Sequence, residues 1–278
     1  MEELELSQAL RAVQTGAPLV QCITNFVTVN DCANIILASG GSPTMAHDPR
    51  EVEEAVSGVS ALVLNLGAVE QLEAMLLAGR QANRLGIPVV LDPVAAGVTA
   101  LRQWTAAQLL GELKLSVIRG NASEIKALVR GRSGGSGVDV AAGDAVSETS
   151  LPAVRALARE LSRRTGAVVV VSGPIDIVSD GTRTAAFRNG CATMARITGS
   201  GCMLSALTGA FCGALPQQPF QAACAAVATM GVCGELAEER RLKNGTGNAT
   251  FRNDLIDAVF NLTETQLTKG VRYEIYES

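Results

Sequence analysis

Residues 61–93 read ALVLNLGAVEQLEAMLLAGRQANRLGIPVVLDP, and they settle the architecture. The apolar run at 61–66 has the length and composition of a strand buried on both faces. The next segment, 69–85, carries a helical pattern and stops at Gly86, a residue that accepts the left-handed conformation of a helix C-terminus. A second apolar strand follows at 88–91 and ends on Asp92-Pro93. Two such strands joined by one helix make a crossover unit, so the strands run parallel and the helix covers one face of their sheet.

The same alternation extends both ways. Upstream, 3–14 has helical spacing and 19–23 is a short strand after Gly16-Ala17-Pro18. A helix carrying Ile35, Ile36 and Leu37 follows, with Asn30 or Asp31 as its cap and Gly40-Gly41 as its end; 42–46 is a short extended piece. Downstream come a helix at 105–113, a strand at 116–118, a helix at 122–129, a loose stretch at 131–150, a helix at 152–164 and the strand 167–171. Segments 175–178 and 184–188 flank Asp180-Gly181, a strong hairpin turn. The remainder reads as helix, over 202–214, 220–240 and 251–266. The expectation is one three-layer α/β/α domain over 1–278, with a mainly parallel central sheet and no internal repeat.

Composition agrees. Hydrophobic residues make up 47% and charged residues 18% of the 278, enough for a large core, while 3% aromatics leave Val, Leu, Ile and Ala to fill it. A net charge of −4 without a Lys/Arg run gives no footprint for nucleic acid and none for an anionic membrane. The acidic start Met1-Glu2-Glu3 is unlike a signal peptide. Uncharged residues fill 197–234, but Pro216-Gln217-Gln218-Pro219 divides them, and two buried helices are expected rather than a membrane span. Seven cysteines without a C-x-x-C pair, beside a single histidine, point to reduced thiols, a cytoplasmic setting and no zinc site.

Ligands of open α/β sheets bind beyond the carboxyl ends of the strands. That rule selects Thr24-Asn25, Asn65-Leu66-Gly67, Asp92-Pro93-Val94, Arg119-Gly120-Asn121 and Ser172-Gly173. The sharpest local signal is Thr198-Gly199-Ser200-Gly201-Cys202 at the start of a helix. Its glycines admit close backbone approach, and the free N–H groups of Gly199, Ser200, Gly201 and Cys202 form an anion hole. The pattern is neither a Walker A loop nor a complete Gly-x-Gly-x-x-Gly. In the first turn the helix dipole is expected to lower the pKa of Cys202, which then takes a proton from an attacking alcohol or hydrogen-bonds to it. Asp92 and Glu124 suit a magnesium ion. Asn121 and Glu124 also have the spacing of a capping box. His47 reads as a turn residue.

Taken together, PLVQCITN (18–25), GSPTM (41–45), LDPV (91–94), IRGNASEI (118–125) and GSGCMLSA (199–206) resemble the hydroxyethylthiazole kinase family of the ribokinase-like superfamily, in family order. The resemblance implies a ribokinase-like fold and phosphorylation of 4-methyl-5-(2-hydroxyethyl)thiazole by ATP with Mg²⁺. It implies substrate contacts at Met45, Gly199 and Asn25, ATP contacts at Arg119, Asn121 and Ser172, the metal region at Asp92 and Glu124, and Cys202 where superfamily relatives carry an aspartate base. It also implies a homotrimer with pockets between subunits. The chain departs from the family pattern at Ser172, where threonine is usual, at Pro174 in place of glutamate, at Ile177 in place of tyrosine, at Ser200, and over 244–251. Two other readings stay open: a related small-alcohol kinase of the hydroxymethylpyrimidine type, and a thiazole- or nucleotide-binding regulator without catalysis. A dinucleotide-dependent reductase is weakened by the missing N-terminal phosphate fingerprint.

Overall fold

The computed structural model describes residues 4–130 and 146–277, so most of the loose stretch expected at 131–150 lies outside the described residues. Among the described residues nine strands form one sheet in the order β2-β1-β3-β4-β5-β6-β7-β8-β9. The parallel part comprises β1 (Leu19–Ile23), β2 (Ser42–Thr44), β3 (Ala61–Asn65), β4 (Val89–Asp92), β5 (Val117–Asn121) and β6 (Val168–Ser172). An antiparallel extension follows, made by β7 (Asp176–Ser179), β8 (Arg183–Phe187) and β9 (Tyr273–Glu277).

Strand alternation divides the core into two layers. Val20, Ala61, Val63, Val90, Val117 and Val170 face one cluster with α1 (Leu6–Gly16), α2 (Val29–Ser39), α8 (Ser200–Ala214), α9 (Pro219–Asn244) and α10 (Asn248–Phe260). Leu62, Leu64, Leu91, Ile118 and Val169 face the other, with α3 (Val52–Val56), α4 (Leu72–Leu85), α5 (Ala100–Glu112), α6 (Ala122–Arg130) and α7 (Leu151–Thr165). This is the three-layer α/β/α arrangement that 61–93 predicts. α9 is long and apolar enough to cross a membrane by length and composition, yet 83% of its apolar window is buried inside the protein. It is separated from α8 at 215–218, where the sequence places the break.

Local differences have local causes. The segment after β3 first winds as a tight 3-10 turn, Leu66–Gln71, because Asn65 Oδ1 accepts the N–H of Gly67; α4 starts only at Leu72. Neither Asn30 nor Asp31 caps α2. Asn25 Oδ1 accepts the N–H groups of Val27 and Thr28 ahead of it, while the buried Asp31 is drawn into an ion pair with the partly exposed Arg252. The expected helix 251–266 is two helices, α10 and α11 (Glu264–Gly270), because Thr263 and Gln266 form a capping box that starts a new one. The C-terminal stretch is not wholly helical either. Tyr273, Ile275 and Tyr276 alternate across β9, with the Tyr273 ring 5.6 Å from that of Phe187.

Candidate active site

The chain leaves β1 outward to β2, then returns past β1 to β3. Connections therefore depart in opposite directions from β1 and β3, which opens a crevice at their carboxyl ends. Asn25 and Asn65 meet there. Asn25 Nδ2 donates to Asn65 Oδ1 at 3.2 Å and reaches Cys202 Sγ at 3.6 Å. Asn65 Nδ2 donates to Asp92 Oδ2 at 3.0 Å and to the same sulfur at 3.3 Å. Ser205, one turn along α8 from Cys202, donates to Asp92 Oδ2 at 2.8 Å. The Asp92 carboxylate is completely buried, and its Oδ1 has no hydrogen-bond partner.

The expected anion hole begins at Gly199. Its φ of +81° is in the left-handed region, and a Cβ there would stand 2.6 Å from Thr28 Cγ2, so only glycine fits. No side chain caps the start of α8, which leaves the N–H groups of the first turn available to a ligand. Gly201 serves a close approach of another kind: a Cβ at this position would meet Arg119 Nη1 at 2.6 Å. Arg119 comes from the middle of β5. Its guanidinium lies 3.7 Å from Asp92 Oδ2 and donates to Ser172 Oγ at the end of β6, so serine supplies the hydroxyl that the family pattern places there.

Glu124 is held on both oxygens, by the N–H of Ala95 at 2.9 Å and of Asn121 at 2.7 Å, while Asn121 Oδ1 accepts the Glu124 N–H. The capping box is thus formed, and it fixes the Glu124 carboxyl beside Asp92. Burial, reinforced by the Asp92 charge, pushes Glu124 up to about 7. Burial also raises Asp92, against the pull of Arg119, Ser205 and Asn65.

Cys202 behaves differently from the expectation. Its thiol is raised, not lowered, because burial and the Asp92 charge outweigh the hydrogen bonds from Thr28 and Asn65 and the attraction of Arg119. The helix position alone does not decide the titration. The other thiols fit a structural role: burial pushes Cys22, Cys212 and Cys233 up to about 12.

Met45 lies just beyond β2 at the sheet border, half-buried against the apolar cluster that also receives Cys202. His47 is exposed, with Nδ1 3.0 Å from the Met45 carbonyl, on an irregular stretch just ahead of the turn at 49–51. Residues 244–251, where the family pattern is shorter, run into α10; Asn248 there donates to the Arg196 carbonyl, just upstream of the anion hole. The sequence rule selected Asn65 as a ligand-facing strand end without giving it a partner, and it singled out neither Ser205 nor Asp176. Asp176 opens β7, accepts the Gly173 N–H at 2.9 Å and is pushed up to about 7 by burial, against that bond and the Arg119 charge. Pro174 stands exposed beside it.

A glycine-lined helix start, two adjoining buried carboxylates and an arginine at the carboxyl edge of a parallel sheet suit an enzyme that handles a phosphorylated ligand. The comparisons make this particular. The family model described as HK: Hydroxyethylthiazole kinase family matches residues 10–265. A hydroxyethylthiazole kinase of Clostridium acetobutylicum is 47% identical, over 98% of this chain and 100% of its own length. That of Desulfovibrio desulfuricans is 49% identical over 90% of this chain and 91% of its own. The solved hydroxyethylthiazole kinase structure from Pyrococcus horikoshii OT3 superposes with a TM-score of 0.85 at 34% identity, covering 98% and 99% of the two chains. The chain belongs to the hydroxyethylthiazole kinase family. A pyridoxal kinase structure from Staphylococcus aureus, at 17% identity and a TM-score of 0.60, shares the fold.

Proposed function

We propose that the protein transfers the γ-phosphoryl group of ATP to the hydroxyl of 4-methyl-5-(2-hydroxyethyl)thiazole, in thiamine salvage. The observation that carries this reading is a continuous polar chain in a member of this family: Asn25, Cys202, Asn65, Asp92, Arg119 and Ser172 follow one another along the carboxyl edge. The alcohol is placed at the Asn25–Cys202 end, with Gly199 and Met45 bounding it. The nucleotide is placed at the Arg119–Ser172 end, with Asn121 nearby.

In the transfer the alcohol oxygen bonds to phosphorus as the bond to the β-phosphate oxygen breaks, and ADP leaves. The transition state is loose, so positioning and charge stabilisation outweigh proton removal. The first-turn amides of α8 face the transferred group and stabilise its developing charge. A raised thiol makes Cys202 a hydrogen-bond partner that orients the hydroxyl, and the proton leaves late, to an oxygen of the transferred phosphoryl group and from there to water.

The residues fit a magnesium ion. Asp92 Oδ1 is buried without a partner, and a hard cation is held by one or two carboxylates together with phosphate oxygens. Among the described residues no group of three or more His, Cys, Asp or Glu is placed to hold a metal, so phosphate oxygens and water would supply the remaining ligands. Asp92 would hold the ion with Glu124 in its surroundings, and the ion would neutralise phosphate charge.

A homotrimer is part of this reading. Phe26 is 87% exposed and Val27 56% exposed directly after Asn25, an apolar rim that a neighbouring subunit would cover. We also place the enzyme in the cytoplasm, as one kinase domain over 1–278. A coupled ATP-consumption assay with Mg²⁺ tests the activity: turnover is expected with hydroxyethylthiazole. Turnover with hydroxymethylpyrimidine and none with the thiazole would overturn it, as would absence of turnover with either alcohol. Light scattering at assay concentration tests the trimer; an active monomer would refute it.

A further inference from the structure

Asn65 and Asp92 are register partners at the ends of β3 and β4; beyond them the chain enters the 3-10 turn Leu66–Gln71, started by the Asn65 Oδ1 bond to the Gly67 N–H, and the loop that leads to α5. Hydrogen bonds between the two side chains do not tie these two segments together. Arg102 does. From the first turn of α5 its Nη1 donates to the carbonyl of Leu66, directly after Asn65, and, at 3.0 Å, to that of Val94, two residues after Asp92. One nitrogen thus joins the two segments.

Three observations set this contact apart from an ordinary surface arginine. Its helix position works against it, because a cation in a first turn faces the positive end of the dipole, where an acid would be favoured. α5 has its own cap in Thr99, whose Oγ1 accepts the Arg102 N–H, so the helix does not need the side chain. The Val94 carbonyl also adjoins a conformation that needs holding. Ala95 has a φ of +56°, unfavourable for a residue with a Cβ, and its N–H is the group that engages Glu124.

We infer that Arg102 is a positioning residue for phosphoryl transfer: through the Leu66 and Val94 carbonyls it holds Asn65 against Cys202 and Asp92, and it keeps the Ala95 N–H on Glu124. The inference rests on the proposed kinase reaction, but its effect on Cys202 exists without substrate.

The test compares Arg102→Met, which keeps length and loses every donor, with Arg102→Lys, whose single nitrogen can replace the one that bridges both carbonyls. Small displacements of reacting groups cost up to about 10²-fold in rate, so Arg102→Met is expected to lower kcat at least ~10-fold while KM for ATP moves less than ~3-fold. Arg102→Lys is expected to recover most of the loss. In the substrate-free enzyme, iodoacetamide labelling of Cys202, followed by peptide mass spectrometry, is expected to slow several-fold in the Met variant, because loss of the Asn65 hydrogen bond raises the thiol further and leaves less thiolate, and to return toward wild type in the Lys variant. Unchanged kcat and labelling in Arg102→Met would overturn the proposal. Equal impairment of both variants, with lower melting temperatures and wild-type labelling, would also overturn it and leave a structural staple. If wild type fails to phosphorylate the thiazole alcohol, the kinase reading falls, while labelling still tests the placement of Asn65.

Discussion

The two ends of the site are built from different materials. Around β1, β3 and the start of α8, the chemistry consists of neutral groups: two asparagine amides, a thiol and a serine hydroxyl, linked by hydrogen bonds of defined direction, beside uncapped backbone N–H groups. Around β5, β6 and β7 it consists of charges: Arg119 lies among Asp92, Glu124 and Asp176, with Ser172 accepting from it. Directional neutral contacts orient a small alcohol, while clustered charge meets a polyanion and its cation. Asp92 belongs to both ends, since its Oδ2 accepts from Asn65 and Ser205 and also faces Arg119.

The largest effect is therefore expected at Asp92. Asp92→Asn keeps the volume and removes the charge that both ends share, and kcat should fall about 10³-fold, within the usual range for loss of an electrostatic or acid–base group. Steady-state kinetics beside a circular-dichroism melt measure it. A loss under tenfold in a folded variant would mean that the two ends work without this junction.

Cys202 belongs to the neutral end, and its raised thiol places its share lower. Cys202→Ala should reduce kcat about 10²-fold, the scale of loss when a reacting group is misplaced, with little change in KM for ATP. Cys202→Asp should retain or exceed wild-type turnover. The charge of Asp92 also bears on that new carboxyl, so its activity should climb with pH through the neutral range more steeply than wild type. An alanine variant as fast as wild type would make Cys202 structural.

Much of this was legible in the chain. The strands 61–66 and 88–91 announce themselves because burial on both faces favours apolar residues throughout, with Asn65, at the carboxyl end of β3, as the polar exception. For the same reason Asp92, directly after such a run, stands out as a site residue. Gly199 and Gly201 are readable as a close-approach pattern, although which neighbour each one admits, Thr28 or Arg119, comes only from the fold. Ser205 had a usable signal: it is a polar residue three positions from Cys202 within an apolar helix. Arg102 had none, since nothing local says which carbonyls a long side chain will reach. β9 was missed because its Tyr/Glu alternation at the chain end resembles a solvated tail. The titration of Cys202 was misread because helix position is local, whereas burial and the approach of Asp92 from another strand are not.

A smaller effect is expected at the border of the two ends. Gly201→Ala would drive a methyl into the space held by the Arg119 guanidinium, which is 8% exposed and has little freedom to move. KM for ATP should rise about tenfold, equivalent to ~1.4 kcal/mol, with a smaller change in KM for the alcohol. Equal shifts in both constants would show that Gly201 is not specific to the charged end.

The smallest effect concerns stability and comes from Asp176. Burial pushes its carboxyl from 3.8 up to about 7, opposed only in part by the Gly173 N–H and Arg119. The folded protein then keeps a proton, from about pH 4 to about pH 7, that the unfolded chain has released. Binding more protons in the folded state makes stability fall as pH rises across that window and level off above it. Glu124, also pushed up to about 7, adds a contribution of the same sign. Asp92, likewise raised by burial, acts in the same direction, so Asp176→Asn removes one titration of three, while its amide oxygen can still accept the Gly173 N–H. Its melting temperature should vary less between pH 4.5 and 7 than that of wild type, and stand about 2–4 °C higher at pH 8, the shift that ~1 kcal/mol gives in a chain of this class. Thermal melts across pH 4.5–8.5 at low salt decide it. If the two curves run parallel, Asp176 is ionised throughout, and the charged end then faces ATP with one more negative charge, which would make a bound cation more necessary there.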